Sequence, residues 1–317
     1  MASSERPYAV RPQRLYTRDD LMQGWRPGGD HSMTLDGRIY TYVKAHGGRA
    51  PDVEEGLAQC THDHFIDVAL ATFLMRFGRP VVGVMGGSRT LAIDPNYRRV
   101  VHLAASLTER GYLVVSGGGL GIMEAANLGA YLTHRSRAER DDVVDELAAT
   151  TPWTTDPAGY MRTADGIRAR FAPGGESLAI PAWVNAGEPI SQFASHIAKY
   201  FSNSIREDGM LAVATAGIVF APGGAGTMQE IFQDAAQNAS RVFGRSPMAF
   251  LDTRHYCAQT GLYPALERQA KRLGFSDLLS VSDEPEEILD RFPAGPTPPR
   301  LDGMQPQMLV RRMRNPR

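Results

Sequence analysis

From residue 80 onward the chain is punctuated by short apolar runs, most of which end in glycine or proline. Val81-Val82-Gly83-Val84-Met85 leads into Gly86-Gly87-Ser88, and Tyr112-Leu113-Val114-Val115 leads into Ser116 and the glycines 117–119. Leu178-Ala179-Ile180-Pro181, Gly217-Ile218-Val219-Phe220-Ala221 and Met248-Ala249-Phe250-Leu251 follow. Between them apolar residues recur at helical spacing, as in Tyr97, Val100, Val101, Ala104 and Leu107, a series that stops at Gly111. Strands apolar throughout, alternating with helices, are expected of a parallel sheet covered on both faces. The pattern predicts a doubly wound, Rossmann-like α/β domain over 80–292.

Three regions break the rhythm. Residues 1 to about 60 read as irregular, with one strand-like run from Arg38 to Val43. A helical pattern follows from Phe65 to Met75, with Thr61 or Asp63 as its cap and Gly78-Arg79-Pro80 as its stop. Residues 1–79 are therefore expected to form an N-terminal extension packed on the main domain. Residues 133–175 carry many charges, then Thr150-Thr151-Pro152-Trp153 and Pro173-Gly174-Gly175. This is read as a partly helical insertion, placed over the ligand or at an interface. Residues 293–317 hold six prolines and read as a disordered or loosely docked tail.

Composition narrows the function. With 317 residues and a formal charge of −1, the chain has room for a full core but no bulk charge for gripping nucleic acid. The two cysteines, Cys60 and Cys257, make no disulfide framework and fit a reducing compartment. No apolar run suits a signal peptide or a membrane helix, so a cytoplasmic protein without a membrane partner is expected. Three of the 34 basic residues are lysines: Lys44, Lys199 and Lys271. His62 and His64 lie at i,i+2, which does not place them on one helix face, and no other spacing suggests a metal site.

The chemistry is expected in three glycine-rich turns: Gly86-Gly87-Ser88, Gly117-Gly118-Gly119-Leu120-Gly121 and Pro222-Gly223-Gly224-Ala225-Gly226-Thr227. In a parallel sheet all three fall at the carboxyl ends of strands, where ligands bind. Glycine lets bare backbone N–H groups approach an anion, and a following helix N-terminus adds its dipole. There is no GxxxxGK[ST] motif, and no acid is placed for a dinucleotide fingerprint. After the third turn, Met228, Ile231, Phe232, Ala235, Ala236 and Ala239 are expected to face the core, with Thr227, Glu230 and Asp234 on the opposite face. A phosphate at the helix start would meet Gly223, Gly224, Gly226 and the Thr227 hydroxyl. Glu230 would then lie one turn, about 5 Å, further along, near the sugar of a 5′-phosphate. Arg206, closing a helical run that includes Phe193, Ile197 and Phe201, is the other candidate.

GGSRT (86–90), GGGLGIMEAANLGA (117–130) and PGGAGTMQE (222–230) together resemble the LOG (Lonely Guy) family, whose members are often labelled lysine decarboxylase-like. The resemblance covers roughly 80–292 without the insertion. It implies a Rossmann-like fold, a homodimer or larger homo-oligomer, and hydrolysis of the N-glycosidic bond of nucleoside 5′-monophosphates without cofactor or metal. It makes Glu230 the catalytic carboxylate and PGGxGT the phosphate cradle. Arg206 matches a family arginine, displaced by one residue and followed by Glu207 where the family has lysine. Gly86, Gly87, Ser88, Gly118, Gly119, Met123 and Glu124 are expected to line the pocket; Glu188, Trp153 and Trp183 are candidates for holding the base, with a structural role the stronger expectation for each. The decarboxylase label finds no support, since no lysine lies beside these motifs and a Schiff base needs one. The alternative is a protein of the same fold that binds a nucleotide or molybdopterin-type cofactor without turning it over.

Overall fold

The computed structural model describes residues 6–183 and 189–295. Helices α1 (Arg18–Leu21), α2 (Leu35–Ala45) and α3 (Val53–Phe77) precede strand β1 (Val81–Met85). Helix α4 (Pro95–Glu109) leads to β2 (Leu113–Ser116), and α5 (Ile122–Tyr131), α6 (Arg137–Ala149) and α7 (Pro157–Phe171) lie between β2 and β3 (Ser177–Ala179). Then come β4 (His196–Ile197), α8 (Asn203–Val213), β5 (Gly217–Phe220) and α9 (Ala225–Ser240). The last elements are β6 (Met248–Leu251), α10 (Leu262–Leu273), β7 (Leu279–Ser282) and α11 (Pro285–Leu289).

The seven strands form one parallel sheet in the order β4-β3-β2-β1-β5-β6-β7. The chain builds outward from β1 to β4, returns to lay β5 beside β1, and builds outward again to β7. The direction of winding therefore reverses between β1 and β5, the position at which a doubly wound sheet opens a ligand cleft at its carboxyl edge. This is the Rossmann-like α/β fold expected from the apolar runs.

Period-two alternation sends side chains to two cores. Val82, Val84, Val114, Ala179, Val219, Ala249 and Leu251 join one, with α4, α5, α6 and α7. Val81, Met85, Leu113, Val115, Leu178, Ile218, Phe220, Met248 and Phe250 join the other, with α3, α8, α9 and α10. Helices α6 and α7 thus form an outer layer on one face, with Val143, Val144, Tyr160, Met161 and Ile167 buried. Helix α3 is part of the other layer, with Ile66, Leu70 and Leu74 on the sheet.

Several local expectations change. Arg38–Val43 is helical, within α2, because Thr34 accepts from Gly37 N and Leu35, Ile39 and Val43 make an i,i+4,i+8 stripe. The same run satisfies a period of two, and the cap decides between them. Asp52, not Thr61 or Asp63, caps α3, which ends at Gly78 in the left-handed conformation as the Gly-Arg-Pro stop implied. The run through Phe193 and Phe201 is not a helix: it contains β4, and α8 starts only at Asn203. Strands β4 and β7 are too short or too polar to show as apolar runs. Of the tail, only residues up to 295 are among those described, and Glu188 lies outside them.

The N-terminal segment closes the β4 edge. Tyr16 exchanges both backbone hydrogen bonds with Ile197, at 3.0 and 2.8 Å. Beside it Asp36, 1% exposed, accepts from Lys199 Nζ at 2.5 Å and from Trp183 Nε1 at 2.8 Å. Burial pushes the Asp36 carboxyl up, but Lys199 and His31 outweigh it and the net direction is down. Truncating one partner of such a pair strands a buried charge. Asp36→Ala is expected to lower unfolding free energy by about 3–5 kcal/mol in a urea titration. Asp36→Leu combined with Lys199→Met is expected to restore most of it; a double variant no better than the single would show that the pair is not the issue.

Candidate functional site

The three glycine turns meet at the carboxyl edge where β1 and β5 adjoin. Gly87 N donates to the Pro222 carbonyl at 3.0 Å, and the Gly87 carbonyl accepts from Ile122 N at 3.1 Å. One residue therefore ties the turn after β1 to both the turn after β5 and the start of α5. Much of the glycine content follows from this packing alone. A Cβ at Gly121, whose φ is +67°, would sit 2.3 Å from the Gly87 carbonyl oxygen, and one at Gly223 would sit 3.0 Å from Gly87 N. Gly118 turns the chain beneath Ala179 and Pro181, and its carbonyl accepts from Ser191 N. Gly119 is buried beside it.

Gly224 and Gly226 are different. Both are exposed, and a Cβ built on either meets nothing within 4 Å. The protein's own packing does not require glycine there. They open helix α9, which has no side-chain cap. The first-turn N–H groups of Ala225, Gly226 and Thr227 have no carbonyl of their own helix to reach. An uncapped 16-residue helix with open space at its start suits an anion.

Arg206 and Glu230 face each other at this edge. Arg206, 8% exposed, lies in the first turns of α8, behind the N-cap Ser202. Its NH1 is 3.6 Å from Glu230 Oε1, and its Nε is buried with no hydrogen-bond partner. Met123 Sδ covers Gly117, and a Cβ built on that glycine would lie 4.0 Å from Arg206 Nη1. The ends of β2, α5, α8 and α9 thus converge on one guanidinium. Burial pushes the Glu230 carboxyl up to about 7, against the pull of Arg206 and with help from Glu207. Glu207 itself turns aside, accepting from Gln229 and Asn203.

Not every expected residue points into the cleft. Glu124 is spent in the core, accepting from Tyr97 OH at 2.8 Å and from Tyr160 OH. Its carboxyl is pushed up to about 7 by burial, against the Tyr97 hydrogen bond. The motif glutamate ties the insertion to α4 and α5. Thr227 is 6% exposed, and its Oγ1 lies where a Cβ on Gly223 would come within 2.1 Å, so the hydroxyl props the loop from within. Ser88 is half-buried at the mouth. Trp183 is buried on Asp36 and Trp153 packs on His31 and Tyr160, which gives both structural contacts.

The expected orientation of α9 is partly reversed. Met228 and Phe232 are 49% and 51% exposed, whereas Thr227, Glu230 and Asp234 are buried beside Ile231 and Ala235. Hydrophobicity alone selects Ile231 and Ala235 correctly but misplaces Met228 and Phe232, because the buried face also takes Glu230, opposite Arg206 of α8. Reading the sequence did not pick out Tyr256, whose hydroxyl donates to the Ala221 carbonyl at 2.8 Å and supports the turn after β5. It lies outside any motif, in a π-helical turn. Among the described residues no group of three or more His, Cys, Asp or Glu is placed to hold a metal ion. No helix among them is long and apolar enough to cross a membrane.

The segment that supplies two of the three turns is similar to a known family. Residues 79–134 match the SLOG cluster4 family. The match spans β1, α4, β2 and α5, and is consistent with the LOG-type motifs. No curated protein matches the chain. Solved structures similar to this chain include the molybdenum cofactor binding protein of Rippkaea orientalis, at 16% identity, TM-score 0.40, covering 67% of this chain and 94% of that one. The molybdenum cofactor carrier protein of Chlamydomonas reinhardtii is 16% identical at TM-score 0.39, covering 67% and 95%. A second structure of that carrier is 17% identical at TM-score 0.35, covering 68% and 99%.

The buried carboxyls of α9 make stability depend on pH. Asp234, 3% exposed with Oδ2 unpartnered, is pushed up to about 7 by burial. The folded protein holds this proton longer than the unfolded chain does. The contribution is full below the ordinary carboxylate value and is lost as pH rises through about 7. Calorimetry of wild type against Asp234→Asn is expected to show the wild type losing roughly 2–3 kcal/mol relative to the variant between about pH 5 and about pH 8. A pH-independent difference would mean that Asp234 titrates normally.

Proposed function

We propose that the β1/β5 cleft binds the phosphate of a nucleoside 5′-monophosphate and that the chain hydrolyses its N-glycosidic bond, releasing free base and ribose 5-phosphate. The observation that carries this reading is the buried Arg206, its Nε unspent, facing a buried Glu230 3.6 Å away above an uncapped helix start. A buried guanidinium with so few partners is poised for an anionic or hydroxyl-rich ligand. The phosphate sits against the N–H groups that open α9, with Gly224 and Gly226 allowing close approach. Glu230, one turn in, lies at the sugar.

Cleavage develops positive charge at C1′, and a nearby carboxylate stabilises it or takes a proton from the attacking water. Either role needs Glu230 ionised. Its carboxyl stands near 7, so turnover should climb as pH rises through about 7 and level off above. Arg206 offers its free N–H groups to the ribose or phosphate and favours the ionised form of Glu230.

A second reading retains the cradle without the chemistry: a carrier for a phosphate-bearing cofactor of the molybdopterin type. The observation favouring it is the same raised carboxyl, since a Glu230 still half-protonated at neutral pH donates a hydrogen bond as readily as it supports a cation. Both readings are tested with one panel: AMP, GMP, IMP, CMP, UMP and a cytokinin monophosphate, each assayed for free base and for binding by calorimetry. The hydrolase reading expects release of base that falls at least about 100-fold in Glu230→Gln, with binding within a few-fold of wild type. Binding without release would move the assignment to a non-catalytic binder or carrier, and the absence of both binding and release would overturn the hydrolase reading.

A further inference from the structure

The side chain of Arg206 is held loosely by its own contacts, one ion pair at 3.6 Å and an unpartnered Nε. What fixes the guanidinium is therefore the helix beneath it, and α8 is anchored by helices that precede β1 in the chain. Four consecutive residues lead into α8, and each is held by a carboxylate from α2 or α3. Lys199 Nζ reaches Asp36 Oδ1, and Tyr200 OH donates to Asp67 Oδ1 at 3.0 Å. Phe201 N and Ser202 N both donate to Asp63, to Oδ1 at 2.9 Å and Oδ2 at 2.8 Å. Ser202 is the N-cap of α8, and its own hydroxyl makes only a long 3.4 Å bond to Ile205 N. Asp63 is thus the principal anchor of the helix start, one turn before Arg206.

Asp63 is itself fixed. It is 1% exposed, and His62 Nδ1 lies 3.1 Å from its Oδ1. The other ring nitrogen of His62 lies 3.0 Å from Tyr16 OH, and Tyr16 is the residue paired with β4. His62 is wholly buried, with Tyr8, Phe201 and Trp183 around its ring. Two backbone N–H bonds to one carboxylate are charge-assisted and directional, so they set both the position and the tilt of the first turn. A small tilt there is magnified at the end of a long arginine side chain, where a misplacement of about 1 Å can cost two orders of magnitude in rate.

We propose that Asp63 is a positioning residue of the site: through the start of α8 it sets the distance between Arg206 and Glu230, which makes the N-terminal extension a working part of the site. This rests on the reading of Arg206 and Glu230 given above. The experiment has two arms, so that the two can fail separately. The first needs no ligand: carbon-13 NMR titration of the Glu230 carboxyl in wild type, Asp63→Asn and Glu55→Gln. Glu55 is a buried acid of the same helix that instead holds Arg6, Tyr8 and Tyr42, and so controls for general loosening. In Asp63→Asn the midpoint for Glu230 is expected to rise by roughly half a pH unit or more as its cationic neighbour moves away, whereas in Glu55→Gln it stays. The second arm is kcat/KM on whichever nucleotide of the panel the wild type hydrolyses, expected to fall by about 10-fold or more in Asp63→Asn and by less than about 2-fold in Glu55→Gln.

If Asp63→Asn does not fold, Asp63→Glu, which keeps the charge but moves it by one methylene, is read by the same criteria. A Glu230 titration unchanged in a folded Asp63 variant, or moved equally by Glu55→Gln, overturns the proposal whether or not the protein turns over nucleotides. A wild type that hydrolyses nothing, with Glu230 still shifted in the Asp63 variant, refutes the hydrolase reading and leaves the positioning role standing.

Discussion

Gly87 uses both of its backbone polar groups to hold other loops, the N–H on Pro222 and the carbonyl on Ile122. The carboxyl edge of the sheet is organised around that residue. Three strand ends must approach to backbone contact there, and the approach leaves no room for side chains at Gly86, Gly121 or Gly223. The turns are then fixed before any ligand arrives. Preorganised donors need no rearrangement when charge arrives or develops, which is why rigid backbone suits such a cleft. The glycines that packing does not demand, Gly224 and Gly226, are the ones at the open start of α9. The division between glycines that packing requires and glycines that it does not thus follows from what surrounds each one.

The second constraint is electrostatic. Arg206, Glu230 and Asp234 are all more than nine-tenths buried, yet they share few hydrogen bonds. Buried polar atoms in native proteins are nearly always partnered, so an unpartnered guanidinium nitrogen and carboxylate oxygen on adjoining elements mark a place where stability is given up. The helices holding these groups compensate. Gln229 and Gln233 of α9 bridge to Glu207 and Asp208 of α8, binding the two helices on the solvent side of the site. Thr227, Glu230 and Asp234 of α9 point inward and Met228 and Phe232 outward, an inversion that hydrophobic burial alone would not select.

That inversion shows where the sequence was legible and where it was not. The apolar runs of β1, β2, β3, β5 and β6 lie between turns and carry alternating side chains into two cores, so strand type, sheet class and the meeting of the glycine turns could be read directly. The position of Glu230 could be read because its motif is local: nine consecutive residues hold both the glycine turn and the carboxylate. Arg206 could be placed only approximately, because its helix starts behind a cap, Ser202, that follows an irregular stretch of apolar residues resembling a helix. Glu124 misled because a motif records that a residue is needed, not whether it is needed by a ligand or by Tyr97 and Tyr160. Asp63 gave no signal for its long-range partners. Its spacing of four from Asp67 on a helix face that also carries Ile66 and Leu70 was the one clue, since acids on a covered face need partners supplied by the fold.

The extension then takes on a different meaning. A segment that only covered an edge strand would need the Tyr16–Ile197 pairing and an apolar face on α3, and both are present. Such a cover has no need of buried carboxylates, each of which carries a desolvation penalty that apolar residues would avoid. Asp36, Asp63 and Asp67 nevertheless all reach the same four residues, 199–202, and the chain downstream of those residues is the helix of Arg206. Polar anchoring is directional where apolar packing is not, and it specifies the register and tilt of what it holds. Buried acids converging on a helix start fit the need to place one guanidinium accurately opposite one carboxylate better than they fit a need for stability alone.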